Sequence, residues 1–348
     1  TSNPCRVNCS EGDFNGHGTH VAGIAAANGG TRGIAPGAGL VGVKVFTGSS
    51  GSGAATAAIV RGINWCVANA TRYNISTIVM SISSATLFSS HCDSSFISLR
   101  NAVNAAGNLN ISVTASAGNN AQPTRISSPA CLHNVTAVSA TNKDDTAATS
   151  YANFAFSIQL LVAPGTNINS TCRPGGYCIQ TGTSMATPMV AGALTLLADV
   201  LNRTNQKRTP AQLELLLNRT GRLVSHPNGT FRRIDIDAAI LALDNIRPTV
   251  NQSSPHDSFQ TPLVDYTFIC NASDWQLAST GMTLSLASTG KVVFNATRLV
   301  SGTFASVDFN VTNLSAAKYF WGCNASDAFN NTILSASRPF VVGAFVQH

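Results

Sequence analysis

Over roughly the first two thirds of the chain, short apolar runs alternate with longer stretches whose apolar positions recur at helical spacing. Residues 40–46, 77–83, 112–117, 135–141 and 160–163 are apolar or β-branched almost throughout. Runs of that length and texture predict strands buried on both faces, the habit of a parallel sheet. Between them, residues 54–70, 95–106, 183–201 and 210–218 predict helices. Strand and helix in alternation imply crossover connections and an α/β sheet covered on both sides. Ligands of such sheets sit at the carboxyl ends of the strands.

Past residue 247 the texture changes. Pro255 and the Ser/Gln-rich stretch around it predict a linker over 248–264. From 265 the pattern alternates with period two: Tyr266, Phe268 and Cys270 share one parity, as do Tyr319, Trp321 and Cys323. Residues 282–286, 291–296 and 306–311 are further short runs between turn residues. This spacing predicts a smaller all-β sandwich over 265–348, its two sheets stapled by Cys270–Cys323. The expected organisation is thus an α/β domain over 1–247, a linker, and a sandwich.

Composition narrows the class. In 348 residues, 44% are apolar and 10% charged, too apolar for disorder and too weakly charged for a coiled coil. No run of about 18 apolar residues predicts a membrane helix. The net charge of +6 comes from 21 scattered Lys and Arg. Without basic runs it predicts a solvated surface and no nucleic-acid partner. The first residues lack the apolar core of a signal peptide, so secretion would imply one already removed.

The nine cysteines are dispersed, with no CxxC and no Cys/His group at zinc spacing. They predict disulfides in an oxidising compartment, with no metal and no cofactor. Cys172 and Cys178 bracket one loop and Cys5 and Cys9 a tighter one. Cys66 is left over, either a small buried hydrophobe or the partner of a segment outside this sequence. Asn-x-Ser/Thr sites occur at Asn8, Asn69, Asn74, Asn110, Asn134, Asn169, Asn202, Asn218, Asn228, Asn251, Asn271, Asn295, Asn310, Asn313, Asn324 and Asn330. Chance would give roughly six. The excess predicts N-linked glycans on a secreted or cell-surface protein.

Three segments carry chemistry. His17-Gly18-Thr19-His20 opens the first; Ser116-Ala117-Gly118-Asn119 follows a predicted strand; Gly182-Thr183-Ser184-Met185-Ala186-Thr187-Pro188 runs into an apolar helix. A serine at a glycine-flanked helix start lies in an exposed turn near the positive end of the helix dipole. A histidine can take its proton, and an asparagine amide at a strand end can donate to a developing oxyanion. Singly, His17, Ser184 and Asn119 are ordinary loop, cap and turn residues; together and in this order they form a set for acyl transfer.

These segments resemble the subtilisin-like serine proteases. The likeness runs from about Asn15 to Ala198 and takes in Gly33-Ile34-Ala35-Pro36-Gly37-Ala38, Val43-Lys44-Val45, Gly62-Ile63-Asn64-Trp65 and Ala163-Pro164-Gly165. The resemblance implies a peptide or protein substrate cleaved through an acyl-enzyme, with His17 as general base, Ser184 as nucleophile and Asn119 as oxyanion donor. It makes His20 a structural histidine. It implies that substrate pairs as an extended strand between Ser50, Gly51, Ser52 and Gly53 on one side and Ser81, Ile82 and Ser83 on the other. Ser116, Ala117 and Gly118 would wall the pocket next to the scissile bond. Cys92 and Cys131 are similar to a pair in secreted relatives. The C-terminal sandwich is similar to immunoglobulin-like modules of microbial cell-surface proteins, and would anchor or position an enzyme.

The departures are as informative. The family's triad needs an Asp on a central strand upstream of the histidine, and residues 1–16 hold no apolar strand ending in Asp. Asp13 matches a common loop Asp of the family and lies too close to His17 in sequence to replace it. A parallel sheet with a central gap would orphan two rows of backbone groups at about 1–3 kcal/mol each. The expectation is therefore that an upstream fragment of the same gene product, or a neighbouring protomer, supplies strand and Asp. Ser83-Ser84 stands where the family has two glycines, and loop 26–33 is too short for the calcium-binding turn of some relatives. A competing expectation is a catalytically silent, densely glycosylated surface or fibre-forming protein on the same fold, assembled as a homo-oligomer or surface array.

Overall fold

In the computed structural model, which describes residues 12–46, 53–203, 206–243, 247–256, 259–261, 263–274, 277–327 and 331–343, the chain divides into two compact units, Thr1–Leu243 and Asp244–His348. Four of the five apolar runs pair as parallel strands of one sheet. Thr77–Met80 pairs with Ser112–Ser116, which pairs with Thr136–Thr141, which pairs with Leu160–Pro164. The two middle strands are buried at every residue. Leu160–Pro164 is then joined in parallel by Gly229–Arg233, which turns back through a hairpin into Arg222–His226. This hairpin completes a six-stranded sheet. Because the first strands are parallel, the loops after Met80 and Ser116 leave from the same end.

The predicted helices form as Thr56–Ala68, Ile97–Asn108, Thr183–Arg203 and Pro210–Thr220. Thr209 caps the last with a reciprocal capping box to Gln212. Three helices among the described residues are additional: His17–Ala26, the single turn Ala70–Tyr73 and Ile236–Leu243. Thr183–Arg203 is the one helix among the described residues long and apolar enough to cross a membrane, but it is a core helix, buried from Met185 to Leu201 along its inner face. It packs on His17–Ala26 through Val21, Ile24 and Met185. The approach is close enough that a Cβ on Gly192 would lie 2.6 Å from the Ile34 Cβ, so only glycine fits.

The fifth run, 40–46, is not a strand. Leu40, Val41 and Val43 are 49%, 44% and 40% exposed. A strand exists only where a neighbour completes its ladder, and none of the described residues does so for 40–46. The other side of Thr77–Met80 is likewise an edge, with Thr77, Ile78 and Val79 only half-buried.

Among the described residues, the second unit is built of strands. Thr249–Ser254, Tyr266–Ser273 and Phe304–Val311 form one antiparallel sheet. The other contains Phe259–Thr261, Arg338–Val342, Ala317–Asp327, Leu277–Leu286 and Val292–Leu299, with Thr332–Leu334 beside Ala317–Asp327. Phe268, Cys270 and Phe309 from the first sheet meet Met282, Leu284, Tyr319, Trp321, Cys323 and Phe340 from the second in one core. Two segments expected as linker, Thr249–Ser254 and Phe259–Thr261, are strands of these sheets instead. Polar Gln252 earns its buried place by donating to the Trp321 carbonyl at 2.8 Å.

Disulfides join Cys92–Cys131, Cys172–Cys178 and Cys270–Cys323 at Cα separations of 5.5, 5.6 and 5.8 Å. Cys270–Cys323 links the two sheets of the second unit. Cys66 is a buried free thiol, its pKa raised by burial. Cys5 and Cys9 lie outside the described residues.

Candidate active site

The site assembles where the chain leaves two adjacent parallel strands and enters the core helix. Ser184 sits in the first turn of Thr183–Arg203. Four residues on, Pro188 has no N–H to give the Ser184 carbonyl, the bond an α-helix would otherwise make. Ser81 fills the vacancy: its Oγ donates to the Ser184 carbonyl at 2.9 Å. The proline thus ties the serine's turn to the segment leaving Thr77–Met80.

A second tie comes from Asn119. Its Oδ1 accepts from the Thr183 N–H at 2.9 Å and from the Thr183 hydroxyl at 3.0 Å. The amide oxygen being engaged, Nδ2 is the end left to donate, and no hydrogen bond occupies it among the described residues. A Cβ at Gly182 would sit 3.2 Å from that Nδ2. The Gly118 N–H reaches the Thr183 hydroxyl at 3.3 Å, and Ser116 Oγ donates to the Ile82 carbonyl at 2.9 Å. So 81–82, 116–119 and 183–184 form one hydrogen-bonded group.

Beneath it, buried Asn153 accepts from the Asn120 and Gln122 N–H groups at 2.8 and 3.1 Å and donates to the Ala117 carbonyl at 3.1 Å. Gly118 lies over it at φ +105°, and a Cβ there would come within 2.5 Å of both Asn153 Nδ2 and Ser127 Oγ. Neither Asn153, Thr183 nor Pro188 was singled out by sequence reasoning for a role. An asparagine inside the apolar run Tyr151-Ala152-Asn153-Phe154 was the available signal, since a polar group buried there must bond its surroundings.

His17 begins the helix that packs on the serine's helix. Asp13 folds under this helix start, accepting from Gly16 N–H (2.8 Å), Thr19 N–H (2.7 Å) and the Thr19 hydroxyl (2.8 Å). Burial would raise the Asp13 pKa, but these hydrogen bonds outweigh it and hold it low. The His17 pKa is lowered, first by burial; the Asp13 charge opposes this and His20 adds to it. A neutral imidazole at pH 7 follows, the form that accepts a proton. Among the described residues no hydrogen bond links the His17 ring to Ser184 or to a carboxylate. His20 is buried, with Nε2 3.0 Å from the Cys178 carbonyl, and acts as a strut to the Cys172–Cys178 loop.

Of the two segments expected to flank substrate, Ser81, Ile82 and Ser83 run from buried to exposed, and Ser84 turns back to bond Ser128. Gly53 is exposed at φ +68°, while Ser50, Gly51 and Ser52 lie outside the described residues. Ser116, Ala117 and Gly118 are buried beside the serine's turn. None of the described sequon asparagines is buried. Asn74, Asn110, Asn134, Asn169, Asn202, Asn228, Asn251, Asn295, Asn310 and Asn313 are exposed, and Asn69, Asn218, Asn271 and Asn324 half-buried; Asn8 and Asn330 lie outside the described residues.

The chain is similar to known proteins. Subtilisin Savinase of Lederbergia lenta is 41% identical over 187 residues, 53% of this chain and 63% of the relative. A thermostable alkaline protease of Halalkalibacterium halodurans is 36% identical over 219 residues, 62% of this chain and 55% of the relative. The chain therefore spans less than two thirds of the length of these curated relatives. The crystal structure of a cold-adapted subtilisin-like serine proteinase superposes with a TM-score of 0.51 at 32% identity, covering 63% of this chain and 74% of that one. The subtilase family model matches residues 7–238, which hold the whole sheet and every element just described, and the chain belongs to that family.

Proposed function

We propose that this protein is a serine endopeptidase that cleaves peptide bonds through an acyl-enzyme. Ser184 Oγ attacks the scissile carbonyl and His17 takes its proton, then returns it to the leaving amine. Asn119 Nδ2 and the Ser184 N–H receive the developing oxyanion. The observation that carries this reading is the pair of hydrogen bonds that Asn119 Oδ1 accepts from Thr183, which turns the amide's donor end outward one residue before the serine. Substrate runs as an extended strand beside Ser81–Ser83, with Gly53 opposite.

His17 then needs a carboxylate to fix its tautomer. We place it on a further apolar strand that pairs along the free side of Thr77–Met80 and covers Leu40, Val41 and Val43. Half-exposed Ile78 and Val79 and the three exposed side chains of 40–43 support this, because apolar edge groups are costly left in water. An upstream segment of the same gene product or a neighbouring protomer would provide the strand.

The second unit suits an immunoglobulin-like sandwich that anchors or positions the enzyme. Support comes from the inter-sheet Cys270–Cys323 bond beside buried Trp321, and from Tyr319, whose hydroxyl donates to the Ser315 carbonyl at 2.9 Å as in a tyrosine corner. The tyrosine stands four residues before the cysteine, where the usual corner has two. Exposed sequon asparagines and three disulfides favour a secreted or surface glycoprotein.

The test is labelling with a fluorophosphonate followed by peptide mapping. Modification of Ser184, absent in Ser184→Ala, is expected once an Asp-bearing strand occupies the edge. A protein with that edge filled that stays unlabelled and leaves denatured casein intact overturns the reading.

A further inference from the structure

Away from the serine, the Cys92–Cys131 disulfide brings His133 beside His91 and Asp93, about 40 residues earlier in sequence. His91 and Asp93 flank one cysteine and His133 follows the other by two. One ligand atom from each lies within 4.8 Å of the others. The two imidazoles are stacked, centroids 3.5 Å apart and planes inclined at 22°. Each ring already has one nitrogen against an oxygen: His133 Nδ1 is 2.7 Å from Asp93 Oδ2, and His91 Nδ1 is 3.3 Å from the Cys131 carbonyl.

We propose that His91, His133 and Asp93 form a surface site for one divalent transition ion of the imidazole-binding kind, Zn²⁺ or Cu²⁺. Metal-bound histidines usually give their second ring N–H to a carboxylate or a backbone carbonyl, which fixes the tautomer and leaves the other nitrogen's lone pair for the ion. Both rings meet that requirement. Two neutral imidazoles with a carboxylate beside them are borderline donors, which select Zn²⁺ or Cu²⁺ over Mg²⁺ and Ca²⁺. Tetrahedral zinc with bonds of about 2.0 Å needs donors about 3.3 Å apart, so the side chains must close in by up to about 1.5 Å. His91 and His133 are exposed and free to turn, while the disulfide holds their backbones in place. Water completes the coordination.

The ion would act as a second clip beside the disulfide. The joined segments continue into the Leu87–Phe88/Ile126–Ser127 strand pair, and from there Ser127 N–H bonds the Ala117 carbonyl. Metal binding therefore steadies the two segments that lead to Ser83 and Gly118. This site stands apart from the peptidase reading and holds whether or not Ser184 is active.

The experiment titrates Zn²⁺ into the full chain by calorimetry and follows Tm, with Mg²⁺ as control. One saturable ion and a raised Tm are expected for Zn²⁺ alone. Binding should vanish in His91→Gln and in His133→Gln, and weaken by about 10–100-fold in Asp93→Asn. On the unaltered protein, Zn²⁺ should shield His91 and His133 from diethyl pyrocarbonate, read by mass spectrometry. Zinc binding that survives both histidine changes, no binding at all, or equal carbethoxylation with and without zinc overturns the proposal.

Discussion

The serine side and the histidine side of the site are built in different ways. Ser184 stands in a turn fixed on two flanks, by Ser81 to its carbonyl and by Asn119 to the preceding N–H. All of these partners leave the carboxyl ends of neighbouring parallel strands, so the sheet itself sets their positions. His17 is placed by its own helix start and by the Asp13 loop, and its ring has no hydrogen-bond partner among the described residues. On the proposed reading, the sheet end preorganises the oxyanion donors without help. An imidazole on a helix terminus keeps its ring rotation until a second group fixes it.

The strongest way to break this comparison is to remove each member in turn. Ser184→Ala should lower kcat by about 10⁶-fold, the scale of the same change in subtilisin. Asn119→Ala should lower kcat by about 10²–10³-fold with KM little changed, again a subtilisin magnitude. Steady-state kinetics on a chromogenic peptide reads both. If Asn119→Ala raises KM and spares kcat, the amide binds ground state and transition state alike, and the serine side is not preorganised for an oxyanion.

Next in size is the support under the serine side. Gly118→Ala puts a Cβ 2.5 Å from two side chains at φ +105°. It should cost about 2–4 kcal/mol, because strain and overpacking add. Thermal unfolding should show the loss as a lower Tm. An alanine tolerated within about 0.5 kcal/mol would mean that Asn153 and Ser127 yield, and that the floor of the site is soft.

Sequence pattern exposed the serine side far better than its surroundings. Ser116–Asn119 and Gly182–Pro188 announce themselves because glycine, serine and asparagine follow apolar runs at strand and helix boundaries. Buried strands such as Ser112–Ser116 were legible for the same reason: every residue faces the core. Residues 40–46 have the same texture but no ladder among the described residues, and periodicity cannot tell whether a partner exists. Thr249–Ser254 was hidden by its polar side chains, since Gln252 is buried by a hydrogen bond and not by hydropathy. The Arg222–His226/Gly229–Arg233 hairpin did carry a signal, Pro227-Asn228-Gly229, that turn chemistry could have read. His91, Asp93 and His133 were beyond any spacing rule, because a disulfide 39 residues long makes them neighbours.

A pH experiment sharpens the comparison only if stability and activity are separated, and Glu214 makes that necessary. Its carboxyl accepts from Thr136 Oγ1 and Gln159 Nε2, both at 2.9 Å, near the amino end of strand Thr136–Thr141. Part of the residue remains exposed, yet burial of the carboxyl pushes its pKa up to about 7 despite those bonds. A carboxyl whose folded pKa is raised holds its proton more tightly when folded. Its stabilising share is complete below the unfolded value and is lost as pH rises through about 7. Glu214→Gln should therefore flatten the fall in stability between pH 5 and pH 8 by roughly 1–3 kcal/mol. Urea unfolding at the two pH values measures it. An unchanged slope would show that water reaches the carboxylate.

The smallest effect probes the histidine side directly. In Asp13→Asn the single amide oxygen can accept from Thr19 or from Gly16 but not from both, and the negative charge beside His17 is lost. That charge raises the His17 pKa against a burial effect that lowers it, so removing it lets burial act with less opposition. The imidazole then stays neutral to lower pH. The acid limb of kcat/KM should move downward, and the His17 ring resonance should titrate lower by the same amount in NMR. Weakened capping of the helix start should cost about 0.5–2 kcal/mol. Glu214→Gln should leave that limb alone. An acid limb that moves upward in Asp13→Asn would mean that the loop fixes His17 mainly through its hydrogen bonds, and that the histidine side is as firmly organised as the serine side.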